Sequence, residues 1–282
     1  MKEIAENVLL EDSYAGVTLG AIRRPEGVVM IDSPLYEKDA QTWRTTVMKS
    51  SSGMECLQVV LDEHYDRTIG AHALRFLVIS HERTANAISG RPSNVRLPGF
   101  ITGSEWELLS NLGPIHWLQP EITFTANMQI AWGEHPIILE HHPGAAKGAI
   151  WVHLPDKKVI FLGDCVVPNQ PPFLANADLD VWVSDLKTLK LAKYQDYLLI
   201  SGRGGMVTRD DVDQQLKLLN SIQKKIEKLA KSDANLKSLE STAYEIAAEF
   251  SAKTKKLEEH FQARMRYGLV QLYNTQYKKS TK

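Results

Sequence analysis

The chain has 282 residues, with 33 Lys and Arg against 34 Asp and Glu, a formal net charge of −1. Hydrophobic residues make up 43% and charged residues 24%, a globular composition that excludes a disordered polyelectrolyte. As a whole-chain figure the charge balance gives no support for nucleic-acid binding, and the length allows one large or two small domains. Cys56 and Cys165 stand far apart, so a disulfide framework or Cys-rich zinc site is excluded and free thiols of a reduced compartment are expected. The acidic N-terminus lacks a signal-peptide core, and no apolar run approaches the ~18 residues of a membrane span. The expectation is a soluble, cytoplasmic α/β protein with no membrane association.

In chain order, GVVMID (27–32), CLQVVL (56–61) and FLVIS (76–80) read as strands, with a helix over 38–49. Further helices are expected at 68–75, 84–90 and 181–193. The strand series continues with ITFTANMQIAW, IILEHH, GAIWVHL, KVIFLGD and YLLISG. The run 91–120, carrying Pro92, Pro98, Pro114 and Pro120, reads as an irregular or short-helical insertion. Neighbouring β-meanders and βα units point to α/β with more than one sheet.

The average charge hides an asymmetry. Residues 206–282 carry 15 Lys and Arg against 10 Asp and Glu, whereas residues 1–205 carry 18 against 24. The tail holds one Gly and no Pro, and Val212, Leu216, Leu219, Ile222, Ile226 and Leu229 recur at helical spacing. A break at SDAN (232–235) precedes one or two further helices. The division expected is a body over 1–205 and a C-terminal helical extension over 206–282. The tail's apolar stripe suits docking on its own body first, and a homodimer interface second. Its lysines interleave with acids and read as a solvated face, a weak signal for nucleic acid.

Two segments carry a family likeness. GVVMIDSPLYEKDAQTWR is a strand ending in Asp32 and followed by a helix. LQVVLDEHYDRTIGAHAL is a strand running into a polar loop, with Gly70 before a helix. With KVIFLGD (158–164) and YLLISGRGG (197–205), in this order, they resemble the metallo-β-lactamase superfamily over most of residues 5–210. The resemblance implies a four-layer αββα sandwich with a metal site at one edge. It also implies hydrolysis, of β-lactams, thioesters, lactones or phosphodiesters, among which fold does not choose.

The family's H-x-H-x-D-H motif matches Asp62-Glu63-His64-Tyr65-Asp66-Arg67. His64 and Asp66 keep their type. Asp62 replaces a histidine and can still ligate a divalent ion. Arg67 replaces the last histidine and cannot, having no free lone pair. In the second motif, matching on Pro-Gly puts His141 in the ligand place, with His142 beside it. Matching on the following strand puts Ala145 there. Asp164 matches the bridging aspartate, and Arg203 stands where the last histidine belongs. The resemblance also gives Asp32 a supporting role behind the ligands, with a plain strand-end turn as the alternative. Tyr65 and Lys147 would lie near the site, as proton donors or as ordinary loop residues. His81 and His116 read as surface or capping histidines.

Three readings follow from this pattern. In the first, Arg67 and Arg203 act as counter-ions to Asp62, Asp66 and Asp164 in a self-neutralised network. In the second, one zinc, manganese or iron ion sits on Asp62, His64 and Asp164 with His141 or His142, and Asp66 serves as base or orienter in hydrolysis of an ester, thioester or lactone-like bond. In the third, Arg67 and Arg203 grip an anionic small molecule. The opposing functional class to the hydrolase is therefore a non-catalytic relative that binds such a molecule or a protein partner.

Overall fold

A computed structural model describes residues 1–49, 53–92, 101–109 and 115–278; Pro98 and Pro114 of the Pro-rich run lie outside them. Strands β1 (Lys2–Ala5), β2 (Val8–Glu11), β3 (Leu19–Arg23), β4 (Gly27–Ile31), β5 (Glu55–Val59), β6 (Leu77–His81) and β7 (Ile122–Phe124) form one sheet in that order. Pairing is antiparallel up to β4 and parallel from β4 to β7. Strands β8 (Asn127–Ile130), β9 (Ile137–His141), β10 (Ile150–Leu154), β11 (Val159–Phe161), β12 (Leu198–Ile200) and β13 (Met206–Val207) form a second sheet in reverse order. The expected strand ITFTANMQIAW is in fact two, β7 and β8, one in each sheet.

Strand alternation builds the layers. Val29 and Ile31 of β4 face the second sheet, where they meet Leu139, Val152 and Phe161 in a shared core. Val28 and Met30 face outward onto Trp43 and Val47 of helix α1 (Glu37–Met48). Short helix α2 (Tyr65–Thr68) and helix α3 (Glu82–Ser89) follow β5 and β6. The far face of the second sheet is covered by helix α4 (Leu179–Leu189) and helices α5 (Arg209–Lys231), α6 (Leu236–Ala247) and α7 (Lys255–Leu272). The result is the αββα sandwich.

The tail is continuous with the body's core. Val212, Leu219, Ile222 and Ile226 of α5 and Met265 and Leu269 of α7 belong to one apolar cluster with Trp151, Ile160 and Trp182. The helical stripe thus packs on its own body, the first of the two uses it allowed. A capping box starts α5, with Thr208 Oγ1 accepting from the Asp211 N–H and Asp211 Oδ2 accepting from the Thr208 N–H. Among the described residues no helix is long and apolar enough to cross a membrane.

Candidate functional site

The ends of β4, β5, β11 and β12 converge at one edge of the sandwich. Each delivers a charged residue: Asp32 after β4, Asp62 in the loop after β5, Asp164 in a short 3₁₀ turn after β11, and Arg203 after β12. The loop after β5 turns tightly because Asp62 Oδ1 accepts the His64 N–H at 2.8 Å. His64 then caps α2 by accepting the Asp66 N–H at Nδ1. Gly202 permits the close approach of the last loop: a Cβ there would lie 2.9 Å from Arg67 Nη2 and 3.0 Å from the Gly163 backbone.

Arg67, 0% exposed, points from α2 into this convergence. It donates from Nη2 to Asp164 Oδ1, and its Nη1 and Nε lie 3.2 Å from Asp32 Oδ2 and Asp62 Oδ1. Arg203, 1% exposed, donates from Nε to Asp164 Oδ2 at 3.0 Å. Its Nη1 donates to Asp66 Oδ2 at 2.7 Å, Glu105 Oε2 at 3.0 Å and the Gly16 carbonyl at 2.8 Å. Its Nη2 donates to His64 Nδ1 at 2.8 Å. Arg264, from α7, extends the chain of charges by donating to Glu105 Oε1 at 2.5 Å and to the Gly103 carbonyl at 2.7 Å. The Phe173 ring lies between Arg203 and Arg264, 4.5 and 4.1 Å from their guanidinium carbons, and against His64.

Electrostatics sorts these carboxyls by partner. Burial works to raise the Asp164 pKa, but Arg203 and Arg67 outweigh it and hold the group well below the usual carboxylate range. Asp32 and Asp66, buried with weaker compensation, are each pushed up to about 7. Burial and the adjacent Arg203 keep His64 neutral. Five carboxyl groups (Asp32, Asp62, Asp66, Asp164 and Glu105) thus share three guanidiniums.

A divalent ion does not fit this donor set. Both Asp164 oxygens accept from guanidiniums, the Asp62 oxygen nearest Arg67 is committed to that contact and to a backbone N–H, and the His64 Nδ1 lone pair already accepts from Arg203. Among the described residues no group of three or more His, Cys, Asp or Glu side chains is arranged to hold a metal. His141 lies apart: its Nε2 contacts the Lys147 carbonyl at 2.9 Å and its ring stacks on His81 at 3.7 Å. His142 contacts Asp185 at 2.9 Å and stacks on Trp151. His81 caps α3 by accepting the Arg83 N–H, and His116 faces the His72 ring, 6.0 Å away.

Above the ion network lies a cavity of about 720 Å³. Asp62, His64 and Asp164 lie on its wall together with Ala145, Tyr65 and Lys147, whereas His141 does not. Arg67, Arg203 and Asp66 do not line it either. The two arginines expected to grip a ligand spend their donors internally, because five carboxyls surround them. Asp66, expected as base or orienter, accepts the Trp106 N–H at 2.9 Å, the Glu105 N–H at 3.2 Å and Arg203. The cations on the cavity wall are instead Arg83, Arg91, Lys147 and Arg264. Arg91 lies between the Tyr65 and Trp117 rings and donates to Thr68 Oγ1 and the Glu63 carbonyl.

Sequence reasoning missed Glu63, Arg83, Arg91, Glu105, Phe173 and Arg264. Glu63 occupies an unassigned motif position, Glu105 sits in the Pro-rich insertion, and Arg264 interrupts a helical stripe. The stripe does hold a signal for Arg264, a charge set directly beside Met265 on a face that must be buried.

The same architecture recurs in solved structures. A metallo-β-lactamase from Pontibacter korlensis superposes with a TM-score of 0.57 at 18% identity, covering 78% of this chain and 97% of that one. The chain has the metallo-β-lactamase fold. The DIM-1 metallo-β-lactamase gives the same TM-score of 0.57 and identity of 18%, over 78% of this chain and 96% of that one. The stereoselective inverting sec-alkylsulfatase Pisa1 from Pseudomonas sp. superposes with a TM-score of 0.65 at 14% identity, over 98% of this chain and 50% of that one. The metallo-β-lactamase-fold likeness to the alkylsulfatase therefore extends over the helical tail, while this chain spans about half of that protein's length. No family model and no curated protein sequence matches the chain.

Proposed function

We propose that this chain is a non-catalytic, metal-free relative of the metallo-β-lactamase-fold hydrolases that binds an anionic small molecule in the cavity above the ion network. The observation that carries the reading is Arg67, fully buried and in contact with Asp32, Asp62 and Asp164. A guanidinium stays protonated at any working pH and cannot ligate a metal, and here it supplies the positive charge that the converging carboxylates require. Hydrolysis of an ester, thioester or lactone-like bond by one metal-bound water, with Asp66 as base or orienter, is disfavoured by the same geometry, since that carboxyl is enclosed and lies off the cavity wall. Binding of an anion is favoured by Arg83 and Lys147, cavity-wall cations with no ion-pair partner among the described residues. A reducing, cytoplasmic compartment suits the two free thiols.

Metal analysis tests the reading. Protein purified after zinc, manganese or iron supplementation is expected to hold well under half an equivalent of divalent metal, and its melting temperature should not respond to EDTA. A full equivalent, lost in Asp164→Asn and stripped by EDTA with a fall in melting temperature, overturns it.

A further inference from the structure

The cavity wall carries unmatched charge of both signs. Glu63 is 9% exposed, and among the described residues its buried Oε2 has no hydrogen-bond donor and its Oε1 has only the Asn176 amide at 3.5 Å. Arg91, the cation beside it, donates to the Glu63 backbone carbonyl rather than to its carboxylate. Asp62, next along the wall, uses Oδ1 for the His64 N–H and for Arg67 behind it, and its Oδ2 accepts from no described residue. An enclosed carboxylate oxygen without a donor is costly, so this part of the wall suits a cationic donor from outside the chain. Exposed Arg83 and Lys147, on the same cavity, suit an anion. The wall also includes the apolar side chains of Phe173 and Leu174.

We propose that the cavity takes a small zwitterion of the amino-acid or short-peptide class, its ammonium on Glu63 and Asp62, its carboxylate on Lys147 and Arg83, and its apolar side chains against Phe173 and Leu174. This assignment rests on the anion-binding reading above and adds the ammonium subsite to it. An ammonium brings three donors to Glu63 Oε2 and Asp62 Oδ2, which have none among the described residues, and a carboxylate meets two cations with no ion-pair partner among them.

Calorimetric titration of the full chain with leucylphenylalanine, its N-acetyl form and its C-terminal amide provides the test. The free dipeptide is expected to bind, and each capped form to bind at least tenfold more weakly. Glu63→Gln should abolish the advantage of a free ammonium while keeping that of the carboxylate, and Lys147→Ala should do the reverse. If either variant fails to fold, the capped ligands on the unaltered protein still decide. Equal binding of the dipeptide and its N-acetyl form overturns the ammonium subsite and leaves the anion reading standing. Failure of all three to bind at millimolar concentration overturns the zwitterion assignment, while the metal-free reading stands or falls separately on metal content.

Discussion

Arg67 and Asp32 meet at 3.2 Å, Nη1 to Oδ2, with neither side chain reaching solvent. Asp32 adopts a left-handed backbone conformation, φ +58°, and its Oδ1 accepts the Leu61 N–H at 2.9 Å. One aspartate thereby ties the end of β4 to the end of β5 and anchors the guanidinium between the sheets. Replacing Arg67 leaves Asp32, Asp62 and Asp164 without the guanidinium they share, with only Asp164 still paired, to Arg203. Arg67→Met is expected to destabilise the fold by about 3–5 kcal/mol, the usual consequence of removing one side of a buried ion pair. Urea denaturation measures this, with the exposed Lys224→Ala as a control that should shift stability by less than about 0.5 kcal/mol.

The Asp32 carboxyl also gives the protein a pH signature. Burial, only partly offset by Arg67, raises it from 3.8 to about 7. The folded state therefore keeps this proton where the unfolded chain has released it. Its contribution to stability is complete below the unfolded value and is lost as pH rises through the folded one. Asp32→Asn does not titrate. The difference in unfolding free energy between variant and wild type should move in favour of the variant from about pH 4 to about pH 7, and a pH-independent difference would refute the assignment.

Gly103 is one of the closest approaches between the body and α7. It sits at φ +73°, and a Cβ there would stand 2.4 Å from the Arg264 Cα. Gly103→Ala combines backbone strain with a clash that no rotamer relieves, and is expected to cost about 2–3 kcal/mol. Gly90→Ala, where the nearest atom to a new Cβ is 3.9 Å away, should be within about 0.5 kcal/mol of wild type. Thermal melts of the two variants provide the comparison.

Removing the tail tests its standing as a separate extension. Trp151, Ile160 and Leu199 of the body share one cluster with Val212, Leu219 and Met265 of the tail, so residues 1–205 alone would expose a large apolar face. That fragment is expected to aggregate on expression and to lack the near-ultraviolet circular dichroism of packed tryptophans. A soluble, cooperatively melting fragment would show the body to be independent.

How far the fold and the site could be read ahead depends on the range of the interactions involved. β4, β5 and β6 lie within a residue or two of GVVMID, CLQVVL and FLVIS, because a parallel strand buried on both faces must be a continuous apolar run. The break at SDAN falls between α5 and α6, where Asn235 caps the second helix by accepting the Ser238 N–H. The helix expected over 68–75 is instead α2 followed by a 3₁₀ turn, since His64 starts the helix early. In the site, the convergence of Asp62, His64, Asp164 and Arg203 is legible only through the family resemblance, which sets the strand-end loops at one edge. The meeting of Glu105 with Arg264 follows from nothing local: 159 residues separate them, and it depends on α7 packing against the segment that carries Gly103 and Glu105.

The two guanidiniums among the converging carboxyls, Arg67 from α2 and Arg203 after β12, have a biosynthetic consequence. A metal ion must be acquired from the cell, delivered in competition with other proteins, and can be lost to a stronger chelator or exchanged for the wrong element. Arg67 and Arg203 are translated with the chain, one for each copy. Their positive charge is present at the first moment of folding, in metal starvation as in plenty, and at a stoichiometry that no change in supply can alter.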